Sequence, residues 1–168
     1  STNISPNFNI DCNGECFGGA YIDECDYCVG GGTGLEPCDF ISTQPEEFYF
    51  QQSTLQAFYF IINAYIGNGN PPSNQDWIGV FINDVCVGSV KYDGAFTTIP
   101  AMGDDGSDWT ESYLQIGQYP SFKLWDASQN LFYPVNAEIV KVLGQEVTTY
   151  TGWYPNDYYN IIDFNALI

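Results

Sequence analysis

The chain has 168 residues, 45% of them hydrophobic and 17% aromatic, enough for a real core, and it carries 21 acidic residues against three lysines. Arginine and histidine are absent and the net charge is −18, so nucleic acid and anionic membrane surfaces are repelled and divalent cations are the natural counter-charge. The same absences exclude the Ser-His-Asp triad, imidazole metal ligands and guanidinium clamps for phosphate.

Residues 1–10, STNISPNFNI, read as an extended arm, polar with Ile4, Phe8 and Ile10 spaced along it. The triplet Asn3-Ile4-Ser5 matches the N-glycosylation acceptor pattern. The chain opens on Ser1 rather than Met, which reads as a mature secreted chain whose leader has been removed. No apolar run approaches membrane-spanning length, so no membrane insertion is expected.

Residues 11–39 form a distinct module. The stretch from Asp11 to Cys38 holds five of the six cysteines, seven glycines and six carboxylates, with few large apolar side chains. So small a segment with so little to bury needs disulfides or metal to hold a shape. Six cysteines in a secreted chain imply three bridges. The five in the module (Cys12, Cys16, Cys25, Cys28 and Cys38) cannot all pair with one another, so Cys86 is expected to bond one of them, Cys38 foremost. Two rivals are a zinc site built from Cys12, Cys16, Cys25 and Cys28 and a redox pair at Cys25–Cys28. Asp11, Asn13 and Glu15 alternate like the opening of a calcium loop, and Asp23 and Asp26 follow closely enough to join the same ion.

From about residue 40 onward, alternation of aromatic or β-branched residues with polar ones predicts strands. They are FYFQQ (48–52), LQAFYFIINAYI (55–66), DWIGVFIN (76–83), VCVGSVKY (85–92), SFKLWD (121–126), NLFYPV (130–135), AEIVKVLG (137–144) and EVTTYTGW (146–153). YYNIIDFNALI adds a last strand, either an edge of its own sheet or one that pairs with a neighbouring subunit. Turn chemistry separates them, and no window has a helical period. The expected fold is all-β: an antiparallel β-sandwich over 40–168 behind a small disulfide-rich, calcium-binding module.

DCNGECFGGAYIDECDYCVGGGTGLEPC resembles a Cys- and Gly-rich repeat of secreted bacterial proteins, of pattern D-C-N-G-x-C-x-G-x-A-x-x-D-x-C-G-x-C-x-G-G. Asp26 stands where that repeat has glycine. QAFYFI (56–61), DWIGVFINDVCVGSVKYDG (76–94), TTIPAMGDDGSD (97–108) and YPSFKLWD (119–126) are similar to a β-domain that often follows such repeats. The pairing also looks like the subunits of extracellular glycan-coated fibrils. The resemblance implies an extracellular, calcium-associated surface or matrix protein, and neither family brings a catalytic motif.

Two further features bear on function. Asp104, Asp105 and Asp108 in GDDGSD form a second candidate calcium loop, with Gly106 permitting a sharp turn; the alternative is an exposed turn capped by aspartates. Asp76 and Asp84 are expected to close turns. The aromatics exceed what one small core needs, so some must face out, onto glycans or other subunits. Trp109, Trp153, Tyr154, Tyr158 and Tyr159 are the candidates, the last four within TGWYPNDYYN (151–160). The leading expectation is a non-catalytic subunit that polymerises with copies of itself, stabilised by disulfides and Ca2+, by adding a strand (residues 1–10 or the C-terminal strand) to the next subunit's sheet. The alternative is a carbohydrate-binding module of a larger secreted enzyme or adhesin. A two-carboxylate glycosidase is weakest, because no spacing selects a pair among Glu46, Glu47, Glu111, Glu138 and Glu146.

Overall fold

Period-two alternation governs most of this chain, and a computed structural model shows it paired into sheets. The structure describes residues 10–22, 28–35, 43–67, 69–143 and 146–168. The chain divides into two compact units, Ser1–Ile41 and Ser42–Ile168.

In the first unit β1 (Ala20–Ile22) pairs antiparallel with β2 (Cys28–Gly30), and a 3₁₀ turn follows over Gly31–Thr33. Glycine is needed at 31, where φ is +52° and a Cβ would stand 2.6 Å from the Ala20 nitrogen. Phe17, Tyr21, Ile22 and Leu35 are exposed, so this unit has almost no apolar core of its own among the described residues.

The second unit contains β3 (Gln56–Ile66), β4 (Trp77–Ile82), β5 (Val85–Lys91), β6 (Thr97–Met102), β7 (Ser121–Asp126), β8 (Leu131–Leu143), β9 (Glu146–Thr149) and β10 (Tyr158–Ala166). Among the described residues they form one sheet in the order β5–β4–β7–β8–β10–β3–β6, with β9 pairing β8 as well. Most inward residues meet in a main core that includes Tyr59, Ile61, Ile78, Val80, Val87, Ile99, Leu124, Ile161 and Phe164. The sheet curls until its end strands touch: a Cβ on Gly88 of β5 would lie 1.7 Å from the Pro100 carbonyl oxygen of β6. The all-β fold is therefore built as one sheet wrapped onto itself.

Four local expectations are corrected. The sheet is mixed rather than antiparallel, because β10 runs parallel to β3, from Tyr158↔Phe58 to Ala166↔Ile66. β10 is consequently neither an edge nor a free donor, since β8 pairs its other side. FYFQQ is not a strand: a 3₁₀ turn over Glu46–Phe48 drives the Phe48 ring into a second apolar cluster with Phe81 and Cys86. The Phe48 carbonyl is satisfied there by Ser89 Oγ (2.9 Å) and Gln44 Nε2 (2.7 Å) rather than by a ladder. EVTTYTGW stops pairing at Thr149, because Tyr150 and Trp153 turn inward and Gly152, at φ +104°, bends the chain against Gly117. Finally, 130–135 and 137–144 fuse into the long β8, and TTIPAM, read only as part of a resemblance, is the strand β6. Pro100 is tolerated there because β6 ends the order of paired strands.

Candidate functional site

In the first unit, the Asp11 carboxylate organises the turn. Its Oδ1 accepts the amides of Asn13 (3.0 Å) and Glu15 (2.9 Å), and its Oδ2 accepts that of Ala20 (3.0 Å). The Glu15 amide above all, then that of Ala20, holds the Asp11 carboxyl below the usual range. A Cys12–Cys28 disulfide, with Cα atoms 5.7 Å apart, ties this turn to β2. It excludes both the four-cysteine zinc site and a Cys25–Cys28 redox pair, because Cys12 and Cys28 are spent on each other. Asn3, Asp23, Cys25, Asp26 and Cys38 lie outside the described residues.

Cys16 and Cys86 are free thiols, which corrects the expectation that all six cysteines are bridged. Cys86 is buried beside Phe48 and Phe81, and its Sγ donates to the Phe48 carbonyl at 3.3 Å and the Gly88 carbonyl at 3.4 Å. Burial raises this thiol to about 11, so it behaves as a small apolar side chain.

In GDDGSD, Asp105 is the centre. Its Oδ2 accepts the amide (2.8 Å) and hydroxyl (3.0 Å) of Thr54, and its Oδ1 accepts the Ser107 amide (3.1 Å) and the Thr110 hydroxyl (2.9 Å). These bonds, the Thr54 amide first, hold the carboxyl well below the usual carboxylate range. Asp104 accepts the Gly106 amide at 2.9 Å, and Asp108 is exposed. The loop is a hydrogen-bonded latch onto Thr54, two residues before β3. Among the described residues, here and in the first unit, no three Cys, Asp or Glu side chains converge closely enough to hold a metal ion.

The proposed aromatic patch separates into inside and outside. Trp153 and Tyr159 are each 1% exposed, which corrects their assignment as surface contacts. The Trp153 indole donates to the Ala101 carbonyl at 3.1 Å, and the Tyr159 ring stacks on Tyr59 at 4.9 Å. Trp109, Tyr154 and Tyr158 are exposed. Tyr158 lies nearly parallel to Phe58 (5.9 Å) and Phe60 (6.1 Å), which gives an aromatic strip on the outer face of β3 and β10. Sequence reading missed Phe58 and Phe60 because their inward neighbours Tyr59 and Ile61 carry the same apolar character.

Asp76 closes a turn as expected, and Asp126, which the sequence reading did not single out, does the same; both are buried. Asp76 accepts the amides of Ser73 (2.7 Å) and Ala127 (3.0 Å), while Asp126 takes the Ser128 and Gln129 amides, so both close turns. Asp84 lies as expected in the two-residue turn between β4 and β5, at φ +65°, where it is exposed and pairs with Lys123 at 3.3 Å.

The remaining feature is a break in the sheet. Along one edge of β8, pairing with β7 runs from Leu131 to Val135 and pairing with β9 from Val140 to Leu143. Between them no described strand pairs with residues 136–139, and a groove of about 770 Å³ opens there. Tyr119, Phe122, Ala137, Val147, Thr149 and Tyr150 are among its lining residues. The Tyr119 and Tyr150 rings meet edge to face at 5.4 Å within it. No protein-family model matches the chain, and neither the curated proteins nor the solved structures contain a significant match. No helix among the described residues is long and apolar enough to cross a membrane.

Proposed function

We propose that the chain is a non-catalytic, extracellular structural subunit that assembles with copies of itself into a filament or surface layer by strand addition. The observation that carries this reading is the interrupted edge of β8, where main-chain donors and acceptors are open beside apolar side chains. Such an edge is a template for an extended segment from another chain. The donor is the arm within residues 1–9, because Ile10 already pairs with Cys16 and β10 is paired on both sides. The Cys12–Cys28 bridge suits an oxidising, extracellular setting.

Calcium belongs to the proposal through charge rather than through a cage. Subunits of net charge −18 repel one another, and a divalent cation shared by surface carboxylates relieves that repulsion. Negative-stain imaging of concentrated protein, with calcium and then with excess chelator, tests the reading. Filaments that fray on chelation are the expected result; particles that stay single in both conditions would count against it. Glycans, attached or bound, are a second reading, favoured by the strip of Phe58, Tyr158 and Phe60. Flat apolar rings with little charge suit neutral sugar faces. A glycan array on which the chain and its Tyr158→Ala variant both bind nothing would remove that reading.

A further inference from the structure

We infer that the groove between β7 and β9 is the acceptor for residues 1–9 of a second copy, an inference that rests on the assembly reading above. The register defines the opening. Val135 is the last β8 residue opposite β7 (Phe122) and Val140 the first opposite β9 (Thr149). On its other edge β8 is paired by β10 from Val135 to Lys141, so among the described residues one edge alone is open. Four residues span about 13 Å of strand. In an antiparallel ladder alternate residues turn both N–H and C=O to the same side, so about two of the four face the groove.

The flanking strands cannot close the gap by growing toward each other. Pro120 precedes β7 and has no N–H to donate. Tyr150 ends β9 by packing its ring against Tyr119, Tyr59 and Tyr159, and its hydroxyl pairs with that of Tyr59 at 2.8 Å. The gap is thus held open by packed side chains, which makes it a fixed feature of the surface.

Charge selects the occupant. Glu138 is the only carboxylate among the residues lining the groove. Residues 1–9 contain no charged side chain, while all 21 acidic residues lie beyond position 10. The arm therefore sets no carboxylate against Glu138. Within 1–9, Ile4, Pro6 and Phe8 alternate with Asn3, Ser5 and Asn7, a period that presents one apolar side. Pro6 also biases Ser5 toward an extended backbone. An apolar side over Phe122 and the tyrosine rings, with main chain against β8, satisfies both surfaces of the groove.

Hydrogen exchange of the full chain, compared between assemblies and dilute monomer, tests this. The groove-facing amides among residues 136–139 are expected to exchange roughly a hundredfold more slowly in assemblies. The double variant Ile4→Asp/Phe8→Asp should abolish both the slowing and the assembly. Assemblies with unchanged exchange at 136–139 would overturn the acceptor while leaving the filament reading intact. Slowing already complete in the dilute monomer would overturn the second copy as its source. If no condition yields assemblies, the filament reading falls on its own, and a synthetic peptide of residues 1–9 is titrated into the double variant. Slowed exchange at 136–139 then upholds the groove as a receptor for this segment, and unchanged exchange overturns it.

Discussion

Trp153→Ala separates a packing residue from a contact residue. The indole fills the space above Gly103, where a Cβ would stand 2.2 Å from its Cη2, and it donates to the Ala101 carbonyl. Truncating a buried Trp costs about 4 kcal/mol, and the carbonyl left without its donor adds about 1 kcal/mol. Domains of this size are stable by roughly 5–15 kcal/mol, so the variant should sit close to unfolding at room temperature. At a urea slope of about 2 kcal/mol/M, the combined loss moves the unfolding midpoint down by about 2.5 M. Trp153→Phe keeps a ring in the cavity but no donor, and should lose about 2 kcal/mol. The assay is urea unfolding followed by far-ultraviolet circular dichroism. A Trp153→Ala midpoint within about 0.5 M of the parent would refute the placement of this residue in the core.

Three further outcomes follow from the geometry. Iodoacetamide at neutral pH should label Cys16 readily and Cys86 only after unfolding, as peptide mapping will read; a native disulfide at Cys86 would refute its placement as a buried free thiol. Gly88→Ala sets a Cβ 1.7 Å from the Pro100 oxygen, so the end strands must separate, at about 3 kcal/mol; a melting temperature equal to the parent's would show that they do not touch. Asp105 is held below its unfolded pKa of about 3.9, so its contribution is fully present above that pH and is lost as pH falls toward the folded value. Asp105→Asn should therefore flatten the acid limb of the stability profile below about pH 4, and an unchanged limb would remove the latch from the account.

β3 and β7 were legible because alternate residues are buried, and β4 and β5, buried on both faces at mid-strand, because apolar runs stand between turn residues; all four lie within a residue of the spans read from the pattern. What misled was always a residue serving two layers of structure. Phe48 looks like strand but is needed as a plug, which a 3₁₀ turn delivers. Pro100 hid β6, since proline is forbidden in a paired centre but allowed where the partner side is open. In TGWYPNDYYN the aromatic count was right and the sidedness wrong, because period two sends Tyr158 outward and Tyr159 inward. The carboxylate clusters were visible as clusters, yet Asp11 and Asp105 spend their oxygens on nearby amides and hydroxyls, a role sharing the Asx spacing of a calcium loop. The groove had no signal in composition, for it arises from where two strands stop.

The place of β10 sets the order in which the fold can be completed. Among the described strands it comes last in the chain, and it is the one that pairs with both β8 and β3. Until it arrives, β3 with β6 and β4 with β5, β7 and β8 are two separate ribbons, each with an apolar face and an unsatisfied border. A chain folding from its N-terminus would thus hold two unlocked ribbons until β10 is available. Its final step would be the pairing of strands distant in sequence, a slow class of folding event. Lateness of that kind leaves the fold pliable until β10 pairs and commits it only then.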